Sequence, residues 1–415
     1  MLTAAFTRLK KDEMTRHGIL MVAFVALGGI FNYGYQLAMG IILMPEQYGI
    51  LVSLTSLLVI LQVFSQTITM AVSRKTSTLK QKDQWTGIAY LWHRWLRQNL
   101  IISVVCFVLL ALASPIVSRL LDLENIWYVL IIFTSIIFLL PISVNWGVMQ
   151  GLQRFTPFGL SQSATYLLRL VVGVLFVYAG WGTYGGLAAV PVSFALVLPY
   201  TLASLKGLPK IGTKPTGTET RAGSFAGLTM LALLAITVMT NVDVIFARHY
   251  LSAVETGNYS ALSILGRISF YAPYGVGIAM FPKTTELYEQ GGNHRQLLWK
   301  ALLLTGLIAG SVVLAYAIFP GAIMRVLFGD KYPLATPFLM EYAGAMALYA
   351  IALLSTSYLL SLKKTGVAYP LFVLMGIQII LISIFHTQMS QLVHVMLISA
   401  FMANIVTLPF VARLR

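Results

Sequence analysis

The sequence predicts an all-α polytopic membrane protein of about 12 transmembrane helices, in two six-helix lobes related by an internal parallel repeat. Three observations predict it: the composition, a set of long uncharged runs, and loop segments that recur half a chain apart. Of 415 residues, 58% are hydrophobic and 10% charged. Soluble domains carry roughly 25% charged residues. Asp, Glu, Lys and Arg are absent from 18–45, 47–73, 98–118, 125–153, 170–205, 301–324 and 365–412. About 20 apolar residues cross a bilayer as a helix, so the last run holds two crossings.

The spans follow in order. The first, 17–38, comes after a basic start (Arg8, Lys10, Lys11, Arg16). Its apolar run is too long for a signal-peptide core and no small-residue cleavage site follows it, so it reads as an uncleaved span. Next come 48–72, 99–119 and 126–149. A Gly180-Trp181-Gly182-Thr183 turn separates 158–180 from 184–205. Spans 224–247 and 257–281 are interrupted by Asp243, Arg248 and Arg267; then follow 299–319, 335–362, 366–386 and 391–412. Between the second and third spans, 73–98 carries Trp85, Trp92 and Trp95 among basic residues, which predicts an interfacial amphipathic helix. The segment 206–223 reads as a flexible linker joining an N-terminal lobe, 1–205, to a C-terminal lobe, 224–415.

The net charge of +15 is compatible, taken alone, with a nucleic-acid partner. Placing the charges by side removes that reading. With both termini cytoplasmic, inner segments hold 22 basic residues and outer loops 4, the bias that sets membrane orientation. The excess is therefore topology, no nucleic-acid partner is expected, and the chain is placed in the cytoplasmic (inner) membrane. Cys106 is the sole cysteine, so there is no intrachain disulfide and no cysteine metal site.

The repeat is visible in the loops. Pro45-Glu46-Gln47-Tyr48-Gly49 follows the first span and Val254-Glu255-Thr256-Gly257-Asn258-Tyr259 the seventh. Ser73-Arg74-Lys75-Thr76 matches Pro282-Lys283-Thr284-Thr285, and Gly151-Leu152-Gln153-Arg154 matches Ser361-Leu362-Lys363-Lys364. Pro115, Arg119 and Asp122 match Pro320, Arg325 and Asp330. Six spans per half give both halves the same orientation. Duplicated bundles of this kind hold substrate at the repeat interface.

Gly28-Gly29-Ile30-Phe31-Asn32-Tyr33-Gly34-Tyr35-Gln36 with Pro45-Glu46-Gln47-Tyr48-Gly49 resembles the first-span signature of a known family. That family is the polysaccharide (lipid-linked oligosaccharide) flippases of the multidrug/oligosaccharidyl-lipid/polysaccharide exporter superfamily. Met149-Gln150-Gly151-Leu152-Gln153-Arg154-Phe155 is similar to its turn after span four, and Asn241-Val242-Asp243 with Glu255–Tyr259 to its seventh-span segment. The resemblance implies flipping of a polyprenyl-diphosphate-linked oligosaccharide from the inner to the outer leaflet, by alternating access between two lobes. It makes lipid-linked oligosaccharide and membrane lipids the partners, with a polysaccharide polymerase and glycosyltransferases in the same route. A cation-coupled multidrug antiporter of the same superfamily is the alternative.

Ionisable groups at membrane depth are functional candidates. Arg169 and Arg267 lie near the middle of spans five and eight, and a guanidinium suits a diphosphate through bidentate hydrogen bonds. Each alternatively serves as a packing clamp. Asp243, towards the outer end of span seven, is a candidate ion-coupling residue or a helix-end partner; five residues from Arg248, it is poorly placed for a local pair. Asn32, Gln36, Gln62, Gln66 and Asn145 are amides suited to sugar hydroxyls or to joining helices. No phosphate-binding G-x-x-x-x-G-K-[ST] loop, histidine metal spacing or nucleophile–base set is present. The chain is expected to be no enzyme, with no cofactor and no catalytic residue.

Overall fold

The computed structural model describes residues 13–209 and 223–412. Most of the predicted linker 206–223 lies outside the described residues, as do Arg8, Lys10 and Lys11. Among those described, the regular elements are all helical. They run α1 Glu13–Ile42, α2 Pro45–Gln81, α3 Trp85–Leu120, α4 Trp127–Gly151, α5 Phe155–Phe176, α6 Gly182–Ala203, α7 Gly223–Met239 and α8 Val242–Tyr250. After these come α9 Ala253–Gly266, α10 Ile268–Tyr271, α11 Tyr274–Glu289, α12 His294–Ile318, α13 Pro320–Phe328, α14 Leu339–Ser361, α15 Ala368–Ile384 and α16 Met389–Ala412.

Ten helical runs among the described residues are long and apolar enough to cross a membrane, and α7 with α8, bent by 40°, make an eleventh. One of the ten, Phe155–Ala203, has 49 residues. At ~1.5 Å per residue a straight helix of that length would far exceed the ~30 Å hydrocarbon core. It is instead a hairpin: Gly180 takes φ +90° and Gly182 φ +51°, and α5 packs along α6. Each of the twelve predicted spans therefore falls on helix. An all-helical solution is what lipid requires, because every backbone polar group must be paired within its own segment.

Residues 73–98 correct one expectation. They are not a separate interfacial helix: α2 runs on to Gln81 and α3 already begins at Trp85. Asp83, at φ +54°, makes the turn, and its carboxylate accepts from Trp85 Nε1 at 2.6 Å. Ile88, Leu91 and Trp92, at helical spacing, bury against Val72, Leu79, Val148, Phe158 and Leu205. Tryptophans among basic residues suit a membrane surface, but here the α3 stripe has a protein core to enter.

The described residues form two compact units. One comprises 13–39, 64–119 and 124–209; the other comprises 40–63, 120–123 and 223–412. The division thus departs from the predicted 1–205 and 224–415 at two short stretches, and polar contacts explain why. Lys331 Nζ donates to the carbonyls of Ile41 and Leu43, and Tyr332 Oη to Gly40 O at 2.8 Å. Arg248 Nε and Nη2 donate to Leu121 O and Asp122 O at 2.9 and 2.7 Å. The orphan carbonyls at the ends of α1 and α3 are thereby capped by cations, which the helix dipole favours.

Small residues set the closest approaches, as expected where lipid supplies no hydrophobic force between helices. In the first unit a Cβ on Gly151 would lie 2.5 Å from Ser73 O. In the second, a Cβ on Gly257 would lie 2.2 Å from Pro45 O, and Gly49 faces Thr256. Pro45–Gly49 and Glu255–Tyr259, the repeat-matched segments, thus pack on each other.

Candidate functional site

In the first unit the candidate side chain predicted from the sequence is Arg169. It lies on α5 and is 7% exposed. Its guanidinium carbon sits 5.3 Å from the Tyr166 ring centroid and 5.5 Å from that of Phe194 on α6. Rings present a negative face to a cation, worth about 0.5–2 kcal/mol. Arg169 Nε and Nη2 are buried and make no hydrogen bond among the described residues. No ion pair reaches Arg169 among the described residues. Tyr35, from α1, lies close by and donates instead to Gly186 O at 2.8 Å. Tyr35 packs where Gly173 lacks a side chain, an added Cβ meeting its ring at 2.9 Å. The result is a buried positive charge held by aromatic faces, with donors to spare.

In the second unit the structure joins two residues that the sequence separates. Asp243 is fully buried in the first turn of α8, where the positive end of the helix dipole favours a carboxylate. The helix starts afresh there because Thr240 and Asn241 return hydrogen bonds to Ile236 O and Thr237 O, side-chain competition that bends helices. Asp243 Oδ2 accepts from Tyr342 Oη at 2.6 Å and Tyr259 Oη at 3.0 Å. Its Oδ1 faces Arg267 Nη2 at 3.6 Å. Arg267, at the junction of α9 and α10, also donates from Nη1 to Ser56 Oγ at 3.4 Å. Tyr342 reaches the carboxylate past Gly266, where a Cβ would come within 2.2 Å of its ring.

The amides divide by exposure. Asn145 is fully buried; its Oδ1 accepts from Trp92 Nε1 and its Nδ2 donates to Thr201 Oγ1, both at 2.9 Å. That corrects its reading as a sugar contact: the amide is spent joining α3, α4 and α6. Asn32, Gln36 and Gln62 are half-buried and Gln66 is exposed. Gln36 Oε1 is buried with no hydrogen-bond partner among the described residues. Arg267, read as a phosphate ligand or a packing clamp, stands beside Asp243. Arg248 turns away from Asp243 to the end of α3.

Tyr259 and Tyr342 were not legible as site residues. Tyr259 stands in the sequence only as a repeat marker, and Tyr342 looks like any aromatic on an apolar helix. A buried carboxylate requires donors, but its sequence does not say which of 20 tyrosines supplies them.

Residues 15–287 match the family described as polysaccharide biosynthesis protein. No curated protein matches the chain significantly. Among solved structures, the fold is similar to an inward-facing multidrug resistance MATE family transporter of the MOP superfamily, with a TM-score of 0.74 at 12% identity over 95% of this chain and 98% of that one. It is also similar to the lipid II flippase MurJ in an inward closed conformation, with a TM-score of 0.69 at 14% identity over 94% and 87% of the two chains. A MOP superfamily transporter from Pyrococcus furiosus matches with a TM-score of 0.66 at 14% identity over 95% and 94%.

Proposed function

Because the chain belongs to the polysaccharide biosynthesis protein family, we propose that it is a flippase for polyprenyl-diphosphate-linked oligosaccharide. It moves this lipid from the inner to the outer leaflet of the cytoplasmic membrane by alternating access, for surface or exopolysaccharide assembly. In this reading both termini are cytoplasmic and two six-helix lobes are joined through 206–223. Glycosyltransferases make the substrate and a polymerase consumes the product. The chain itself performs no catalysis and carries no cofactor.

The observation that carries the proposal is Arg169. A guanidinium 7% exposed, with two nitrogens unbonded among the described residues, costs about 1–3 kcal/mol per unsatisfied group. A ligand phosphate satisfies it bidentately. Arg267 is the second phosphate ligand, and Asn32, Gln36, Gln62 and Gln66 face sugar hydroxyls. Asp243 takes the ion-coupling role. The similarity to a lipid II flippase supports a lipid-linked cargo. Buried arginines favour an anionic substrate over the organic cations of a multidrug antiporter.

Arg169→Ala is expected to abolish surface polysaccharide at unchanged protein level, and Arg169→Lys to restore part of it. Normal polysaccharide from the Arg169→Ala/Arg267→Ala variant would sink the phosphate reading.

A further inference from the structure

The ion pair in the second unit has an asymmetry that bears on coupling. The carboxylate of Asp243 takes both tyrosine hydrogen bonds at one oxygen, Oδ2, from Tyr342 at 2.6 Å and Tyr259 at 3.0 Å, and the backbone N–H of Val244 also bonds it. Its other oxygen meets the guanidinium at 3.6 Å, longer than a hydrogen bond. The two tyrosines therefore hold the carboxyl in place whether or not Arg267 stays beside it. Two donated bonds use both lone pairs of one carboxyl oxygen. That is the hydrogen-bonding pattern of the carbonyl oxygen in a protonated acid as much as of a carboxylate. Oδ1 is then the atom that takes a proton.

We infer that Arg267 is an exchange site, where a substrate phosphate replaces Asp243 as the counter-ion and Asp243 takes up one proton at Oδ1. The inference rests on the reading of Arg267 as a phosphate ligand. The charges balance. Before exchange, guanidinium and carboxylate sum to zero. Afterwards one phosphate oxyanion neutralises the guanidinium, and a proton from water neutralises the carboxylate, whose hydrogen bonds from Tyr259 and Tyr342 persist. A buried carboxylate deprived of its cation is too costly to remain charged, so phosphate binding and protonation proceed together.

Among the described residues, these groups face Asp243. Arg267 comes from the junction of α9 and α10, Tyr259 from α9, and Tyr342 from α14. Tyr349, two turns further along α14, also interacts with Asp243 and donates to Gln378 of α15. From α2 come Ser53, bonded to Val244 O, and Ser56, bonded to Arg267. On α16, His394 pairs with Glu341 instead. Asp243 is therefore the group positioned to balance a phosphate at Arg267.

The test uses the full chain in nanodiscs with farnesyl diphosphate as probe. Calorimetry in buffers of different ionisation enthalpy counts protons taken up per probe bound. The wild type is expected to take up about one proton more than Asp243→Asn. Its affinity should accordingly fall about tenfold more per pH unit than that of Asp243→Asn as pH rises. Equal counts, with binding still dependent on Arg267, would overturn the exchange and leave the phosphate reading standing. Binding indifferent to Arg267→Gln would overturn both. Infrared difference spectra of the wild type need no substitution: adding the probe should produce a protonated-carboxyl C=O band. Its absence would overturn the exchange even if Asp243→Asn fails to fold.

Discussion

Arg169 and Arg267 are equally buried, at 7% exposure each, yet their surroundings differ in kind. Arg169 is flanked by the rings of Tyr166 and Phe194, and Arg267 stands against a carboxylate anchored by two tyrosines. Burying an unmatched charge is expensive; burying a matched pair is roughly neutral, although breaking it is not. In the proposed reading the difference separates two tasks: Arg169 receives an anion against aromatic faces, whereas Arg267 exchanges one anion for another.

Stability measurements test that contrast, and the largest effect belongs to the paired arginine. Asp243→Ala strands Arg267 in the core and is expected to cost about 3–5 kcal/mol, read from chemical denaturation in micelles. A loss below about 1 kcal/mol would mean that Arg267 is not held by the pair. Next comes Tyr342→Phe, which removes a short bond to a charged acceptor; a loss of about 1.5–3 kcal/mol is expected by the same assay. Gly266→Ala pushes Tyr342 off the carboxylate and should cost about 1–3 kcal/mol through overpacking. Combining it with Tyr342→Phe should give less than the sum, since both act on one contact. The smallest effect is at the other arginine. Arg169→Met removes a charge that no carboxylate among the described residues compensates and keeps an apolar chain against the Tyr166 and Phe194 rings, so its melting temperature should equal or exceed that of the wild type while surface polysaccharide is lost. A large fall in melting temperature would make Arg169 a packing clamp.

The uncharged runs located the crossings, because their composition is imposed by the lipid and not by any neighbour. They were less informative at the helix ends: α2 and α3 run past their apolar stretches to Gln81 and back to Trp85. A solvated helix with one buried stripe looks like an interfacial one until its partner is known. The arginines were legible for the same reason as the runs, since a charge at membrane depth stands out from its background. Asn145 stayed open between two readings because an amide that binds sugar and an amide that joins helices are the same residue at the same depth; its bonds to Trp92 and Thr201 decide for the second.

The membrane class, the helical crossings and the identity of the candidate charges were thus available from the order of residues, since each depends on local composition meeting a uniform solvent. The state of each charge was not. Asp243 acquires Tyr342 from 99 residues away, Asn145 acquires Trp92 from 53 residues away, and Arg169 acquires the ring of Phe194 from the neighbouring helix. Helical periodicity reports which face a side chain occupies but carries no term for what the facing helix presents. Packing therefore decides which arginine faces a carboxylate and which lies among aromatic rings.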